Sequence, residues 1–457
     1  MMRFLTCASL SLVLWILALP AGATPVPQGA IRDTLALYVK AHPYAVVAIG
    51  IIDGGRAKTY CVRGSKATAP CDERARFQIG SITKVFTATI LAQMVLKNQL
   101  KLADPIQPIL PAGVAAPTYK GKPITLQSLA NHTSALPSNP PNYQNGYTTK
   151  MLDDALSATK LDRAPGSRWD YSNFGFAVLG QILARKADLP YDELVKRRIL
   201  DPLGMSDTTV PLSVASVRDF GPTFQYGGAP SQPESLGALG PAGSMESDLH
   251  DMMTFLKANL EAPQGVLGHE LAFAQAQRTP VPEWNMSMGL AWQTVLAPKH
   301  RVQGDLGDLE PGTVEKGGNT NGYSSFIAFN HASNWGIVAW TNVNDDDFQQ
   351  VVEHAVSPRT AQMPILWALV RREPSPLNGT YIIRKGIQLS LDIFKYKGDL
   401  YLWASNSTPV KLRPLSDNRY TFDLVHLILM FQKDARGRTI GLTVSQNGKT
   451  FEAKRVR

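Results

Sequence analysis

The sequence predicts an α+β fold: an antiparallel sheet with a helical subdomain inserted between its strands, followed by a small all-β barrel. Three observations carry it. Strand-type runs stand early, at Ala45–Ile52 and Lys58–Val62, and late, at Val314–Gly318, Tyr323–Asn330 and Trp335–Asn342. Helical patterns fill the interval, so the early and late strands are expected to share one sheet. Beyond Arg371–Pro376, a linker by composition, short β-type runs recur at regular spacing.

The elements follow in order. Residues 1–23 read as a secretory targeting segment, with Arg3 as the charged start, an apolar run from Leu5 to Leu19, and the cleavage site Ala21-Gly22-Ala23. That run is short for a bilayer span and no later stretch reaches that length, so export to the periplasm with cleavage after Ala23 is expected. Cys7 would leave with the segment. Cys61 and Cys71 remain, and in an oxidising compartment they are expected to form a disulfide; two free buried thiols are the alternative. A length of 457 residues suits one large unit, residues 24–372, and one small unit, residues 373–457.

Ile31–Ala41 has the pattern of an amphipathic helix. Ala45–Ile52 is a near-continuous apolar strand, turned by Asp53-Gly54-Gly55 into Lys58–Val62. A strongly apolar helix runs from Ser81 to about Leu100, and further helices are expected at Phe174–Arg185 and Asp248–Leu260. After the late strands comes a helix-like stretch from Phe348 to about Val370, interrupted near Pro358. The small unit shows seven runs: Gly379–Ile383, Leu389–Phe394, Leu400–Trp403, Tyr420–Phe422, Leu427–Gln432, Ile440–Ser445 and Thr450–Ala453.

The net charge is +9, and its basic residues read as spread along the chain. No nucleic-acid-binding motif accompanies them, so weak attraction to an anionic envelope is expected and nucleic-acid binding is not. The eight histidines are scattered, without His-x-x-x-His or His-Glu-x-x-His spacing, so neither a metal nor another cofactor is expected.

Chemistry concentrates where an apolar approach and Gly80 lead into Ser81-Ile82-Thr83-Lys84. A serine at a helix start meets unpaired N–H groups and the positive end of the dipole. Lys84, three residues on, shares its face, and a desolvated amine there takes the serine proton to make a nucleophile. A helix-capping serine is the structural alternative. A second copy, Ser157-Ala158-Thr159-Lys160, lacks the apolar approach and the glycine and is followed by Pro165-Gly166. Tyr171-Ser172-Asn173, with a helix directly after it, places a phenol and an amide side by side; Tyr143-Gln144-Asn145 is a decoy in a loop. His132, in His132-Thr133-Ser134-Ala135-Leu136-Pro137, reads as a turn residue satisfied by backbone rather than as a general base.

With Lys316-Gly317-Gly318 opening a late strand, four ordered elements resemble the class C β-lactamase and low-molecular-weight penicillin-binding protein family. Pro117–Pro137 and Ala164–Asn173 are most similar to its D-alanyl-D-alanine carboxypeptidase/endopeptidases. The resemblance covers roughly residues 30–370 and implies the β-lactamase/DD-peptidase-like fold; the last segment is similar to a barrel appended to many related hydrolases. It implies Ser81 as nucleophile, Lys84 as proton acceptor, Tyr171 as general base and acid, Asn173 on the substrate amide, and Lys316 as a source of positive potential. The oxyanion hole would be the backbone N–H groups of Ser81 and Asn319, with Gly317, Gly318 and Thr320 lining the substrate. Many members have threonine where Gly317 stands, and Ala135 and Ser244 replace frequent glycines.

The expected function is therefore that of an exported serine DD-peptidase acting on peptidoglycan peptides, with β-lactams as related substrates. An esterase or D-amino-acid peptidase on the same scaffold is the alternative that Gly317 favours. A non-catalytic cell-wall-binding protein is the third reading.

Overall fold

The computed structural model describes residues 28–456 apart from 142, 144–145, 213–219, 233–234, 282–284, 297–308, 357–374, 384–388, 397, 405–409, 417, 423–426 and 447–448. The targeting segment, the stretch after Val356 and most of the linker lie outside the described residues.

An eight-stranded antiparallel sheet organises the first part. Val46–Asp53 pairs on one side with Arg56–Arg63 and on the other with Trp335–Thr341, placing Ile49 opposite Ala339. Ser324–Asn330 and Val314–Asn319 follow, with Lys316 opposite Ile327. Early and late strands thus share one sheet, as the sequence predicts. Three short strands toward one edge were not legible: Gln293–Val295, Met286–Met288 and Thr279–Val281. Three residues are too few for an alternating pattern to show.

Both faces of the sheet are covered, which explains the uninterrupted apolar run. Val46, Ala48 and Ile52 enter one core, whereas Val47, Ile49 and Ile51 enter the other, beneath the helices Gln28–Ala41 and Phe348–Val356. The larger core surrounds the helix Thr83–Leu96, of which residues 83–94 are all buried. A helix without a polar face belongs inside. It begins later and ends sooner than predicted: Ser81 lies in a 3-10 turn, Gly80–Ile82, and Asn98 in the left-handed region turns Gln99 and Leu100 back to donate to the Met94 carbonyl.

Cys61 and Cys71 form a disulfide with Cα atoms 5.7 Å apart, so the free-thiol alternative is excluded. The last segment is a closed eight-stranded barrel, Gly379–Ile383 through Lys449–Arg455, filled by its own side chains. The strand missed in the sequence is Val410–Ser416, which carries Pro414 at an irregularity in the pairing. The barrel also corrects the reading of the charge. Residues 375–457 hold 14 of the 46 basic residues but 6 of the 37 acidic ones, which places +8 of the net +9 there. Averaging over the long, nearly neutral first part hid this concentration.

Candidate active site

Four segments distant in sequence converge on Ser81. Lys84 Nζ lies 2.9 Å from Ser81 Oγ, 2.7 Å from Asn173 Oδ1 and 2.7 Å from the carbonyl oxygen of Ala242. Tyr171 Oη donates to Ser81 Oγ at 2.7 Å. The Tyr171 ring lies beside both lysines, with Lys84 Nζ 4.8 Å and Lys316 Nζ 4.9 Å from its centroid. Lys84 is fully buried and Lys316 is 3% exposed.

These surroundings set the protonation order. Burial first, and then the nearby charge of Lys316, holds the Lys84 ammonium well below the usual lysine range. Burial pushes the Tyr171 phenol above its ordinary value, against the hydrogen bond to Ser81. The phenol thus stays neutral while the amine sheds its proton more readily. A neutral Lys84 has two N–H donors, matched by Asn173 Oδ1 and the Ala242 carbonyl, and one lone pair directed at the Ser81 hydroxyl. Lys316 is lowered by burial to about 8, with Glu315 raising it in part.

Local structure fixes each group. The helix Asn173–Ala187 is capped by Ser172, whose hydroxyl accepts from Gly175 N and donates to the Pro137 carbonyl. Ser172 N donates to His132 Nδ1, and the His132 ring lies 4.3 Å from that of Tyr171. Burial, then the charges of Lys316 and Lys84, holds His132 well below the ordinary histidine value. His132 is thus a neutral, fully buried prop for Tyr171, in line with its reading as a turn residue.

Two glycines let the Val314–Asn319 strand approach the Ser81 turn. A Cβ on Gly318 would overlap the Ile79 carbonyl oxygen and lie 3.0 Å from Ser81 N. One on Gly80, whose φ is 52°, would lie 2.8 Å from Asn319 N. The backbone nitrogens of Ser81 and Asn319 are thereby brought around one small space, and Ser325 Oγ ties the pair together by donating to Ile79 O and Gly318 O.

Other predicted residues fall elsewhere. A Cβ on Gly317 would point to Gln349 Oε1, 2.5 Å away, so a side chain there would meet the Phe348–Val356 helix. Thr320 is buried in the turn after the strand, its N–H donating to Tyr323 O. Ser157 is exposed and donates to Asp153 O, while Lys160 stands exposed beyond the end of its helix, so the second Ser-x-x-Lys assembles nothing. Tyr143 packs on Tyr147, and Gln144 and Asn145 are outside the described residues. Asp248, His250 and Asp251 bring ligand-type atoms within 4.8 Å of one another, yet Asp248 Oδ2 faces Arg74 and Asp251 Oδ2 accepts from Asp207 N and Thr208 Oγ1.

Sequence reasoning missed three contributors. Ala242 acts through a carbonyl, which no side chain announces. Asn139, which accepts from Asn173 Nδ2 at 3.0 Å, stands in the turn-rich Pro137-Ser138-Asn139-Pro140. Asp346 Oδ1 accepts from Asn319 Nδ2 at 2.9 Å, and the acidic run Asp345-Asp346-Asp347 was its only signal.

Comparison with known proteins agrees with this geometry. The chain is 33% identical over 268 residues to the D-alanyl-D-alanine-carboxypeptidase/endopeptidase AmpH of Escherichia coli K12, covering 55% of this chain and 66% of that protein, just under two thirds of its length. It is 24% identical to a Beta-lactamase of Pseudomonas fluorescens over 73% of this chain and 98% of that one. A Beta-Lactamase/D-Alanine Carboxypeptidase structure from Pseudomonas syringae superposes with a TM-score of 0.61 at 23% identity, covering 74% of this chain and 99% of that one. A D-stereospecific amidohydrolase from Streptomyces sp. gives 0.58 at 26%, covering 73% and 100%. Residues 31–357 match the Beta-lactamase family, and with its serine, lysine and tyrosine assembled the chain belongs to that family of serine hydrolases.

Proposed function

We propose that this protein is an exported serine DD-peptidase that cleaves peptidoglycan peptides through an acyl-enzyme on Ser81. The observation that carries the reading is the hydrogen-bonded chain from Tyr171 Oη through Ser81 Oγ to Lys84 Nζ. In acylation Ser81 Oγ bonds to the substrate carbonyl carbon, its proton passes to Lys84 Nζ, and the carbonyl electron pair moves onto oxygen. That oxyanion faces the N–H groups of Ser81 and Asn319. As the intermediate collapses, the scissile C–N bond breaks and the leaving amine takes the proton relayed from Lys84 through Tyr171. Water then attacks the ester, its proton moves by the reverse relay, and the acid departs with Ser81 restored. Asn173 orients the substrate amide, and Lys316 supplies positive potential toward a substrate carboxylate.

Export is supported by the targeting pattern of residues 1–23 and by the Cys61–Cys71 disulfide. Likeness to the Escherichia coli carboxypeptidase/endopeptidase supports the substrate class. A second reading, an esterase or D-amino-acid peptidase on the same scaffold, is favoured by Asp346 beside Asn319, since an acid at the strand end opposes a substrate carboxylate.

Mass spectrometry after brief exposure to benzylpenicillin and to a peptide ending in D-Ala-D-Ala tests both. Expected are a covalent adduct with the mass of the intact drug, absent from Ser81→Ala, and release of D-alanine from the peptide. A folded protein that forms no adduct with either probe and turns over neither the peptide nor a p-nitrophenyl ester overturns acylation at Ser81. Ester turnover without D-alanine release selects the second reading.

A further inference from the structure

We propose that one end of the C-terminal barrel is a docking surface for an anionic lipid bilayer. The inference stands apart from the catalytic reading and rests on where the barrel places its charge and its exposed apolar groups.

The pairing defines that end. Three hairpins turn there: Leu389–Tyr396 into Asp399–Ala404, Val410–Ser416 into Arg419–Phe422, and Leu427–Lys433 into Thr439–Gln446. The barrel's first strand starts at the same end, at Gly379, and its last strand finishes there, at Arg455. Leu415, Ile440 and Val456 belong to these strand ends, and Met430 stands opposite Arg419, the first residue of its strand. All four are 41–51% exposed, and they are four of the seven large apolar side chains that stand out in this way among the described residues. A barrel whose interior is already filled has no internal use for them.

Basic residues surround them. Arg419, Lys433, Arg436 and Lys454 are exposed at or near the same end, and Arg419, Met430 and Thr443 form one cross-strand row. Of the acids at or near this end, Asp399 and Asp434 are engaged by Lys411 and Arg438, Asp392 accepts from Thr380 Oγ1, and the exposed Glu452, next in that row, accepts from Gln432 Nε2 and Thr443 Oγ1. The outcome is a cationic rim interleaved with apolar side chains, on a unit that holds +8 while the rest of the chain is nearly neutral. A soluble polyanion requires only the charge. A bilayer uses both components: headgroup phosphates attract the arginines and lysines, and the apolar side chains enter the boundary with the acyl chains.

Flotation of the full-length protein with phosphatidylcholine vesicles, with or without phosphatidylglycerol, tests this. Expected are binding only to vesicles containing phosphatidylglycerol, weakening as salt is raised, and a loss of affinity of more than about tenfold in the triple variant Arg419→Glu/Lys433→Glu/Arg436→Glu. The variant Leu415→Ser/Met430→Ser/Ile440→Ser is expected to lose the binding that persists at high salt. Both variants change only exposed side chains, and unchanged thermal melting together with unchanged turnover of a soluble ester shows that each remains folded. Absent binding, equal binding to pure phosphatidylcholine, or variants that float like the wild type would each overturn the proposal. Retention on immobilised heparin without flotation would overturn it in favour of a soluble polyanionic partner.

Discussion

Gly318 and Ile79 meet so closely that any Cβ on the glycine would occupy the space of the Ile79 carbonyl oxygen. The contact sets the distance between the strand that ends in Asn319 and the turn that presents Ser81. Gly318→Ala must push the two apart, because the Ile79 oxygen and Ser81 nitrogen that the new Cβ would meet belong to backbone and do not yield as a flexible side chain would. Acylation by benzylpenicillin is expected to slow by about 10²–10³-fold, the usual cost of losing one oxyanion donor. Stopped-flow labelling on protein with an unchanged circular dichroism spectrum measures it.

Removing the amine and removing the phenol are expected to differ. Lys84→Met takes away the proton acceptor and should lower the acylation rate by about 10²–10⁴-fold. Tyr171→Phe keeps the ring beside the two lysines but breaks the relay to the leaving group. It should therefore retain more activity toward esters with good leaving groups than toward peptides. Comparing p-nitrophenyl ester and D-Ala-D-Ala peptide turnover in the two variants reads out the difference.

Lys316 gives the pH dependence a direction. With its value lowered to about 8, it is charged below that pH and neutral above it. For a carboxylate-bearing peptide, kcat/KM should rise with pH as Lys84 loses its proton and fall again above about 8 as Lys316 loses its charge. An uncharged ester should lack the descending limb. Lys316→Arg, which keeps its charge, should move that limb to higher pH, as a pH–rate series on both substrates would reveal.

The disulfide should matter to stability and not to chemistry. Cys61 and Cys71 enclose a short loop at the sheet edge, for which chain-entropy arguments give about 2–3 kcal/mol. Cys61→Ser/Cys71→Ser is expected to melt a few degrees lower with kcat unaltered, as differential scanning calorimetry and an ester assay would record.

Much of this architecture could be read from the chain because long elements repeat their pattern. Val46–Asp53 and Trp335–Thr341 are apolar on both faces, and Thr83–Leu96 is apolar all round, so their burial follows from composition. Ser81, Lys84, Tyr171 and Lys316 were legible as an ordered set of motifs, and the structure brings them together. What escaped detection works through backbone or through a direction in space. The Ala242 carbonyl carries no side-chain signature, and the outward face of Gly317 toward Gln349 depends on strand register. Three-residue strands and a barrel strand interrupted by Pro414 fall below the length at which periodicity speaks.

Val47 pairs with Thr341, and between them lies nearly all the polypeptide that builds the cleft. Val46–Asp53, one strand in from the sheet edge, gains its second neighbour only after about three hundred further residues have been made, so the sheet closes late, around a pairing of high sequence separation. Lys316, beside Tyr171, comes from the same late set of strands, so the cleft and the sheet are completed together.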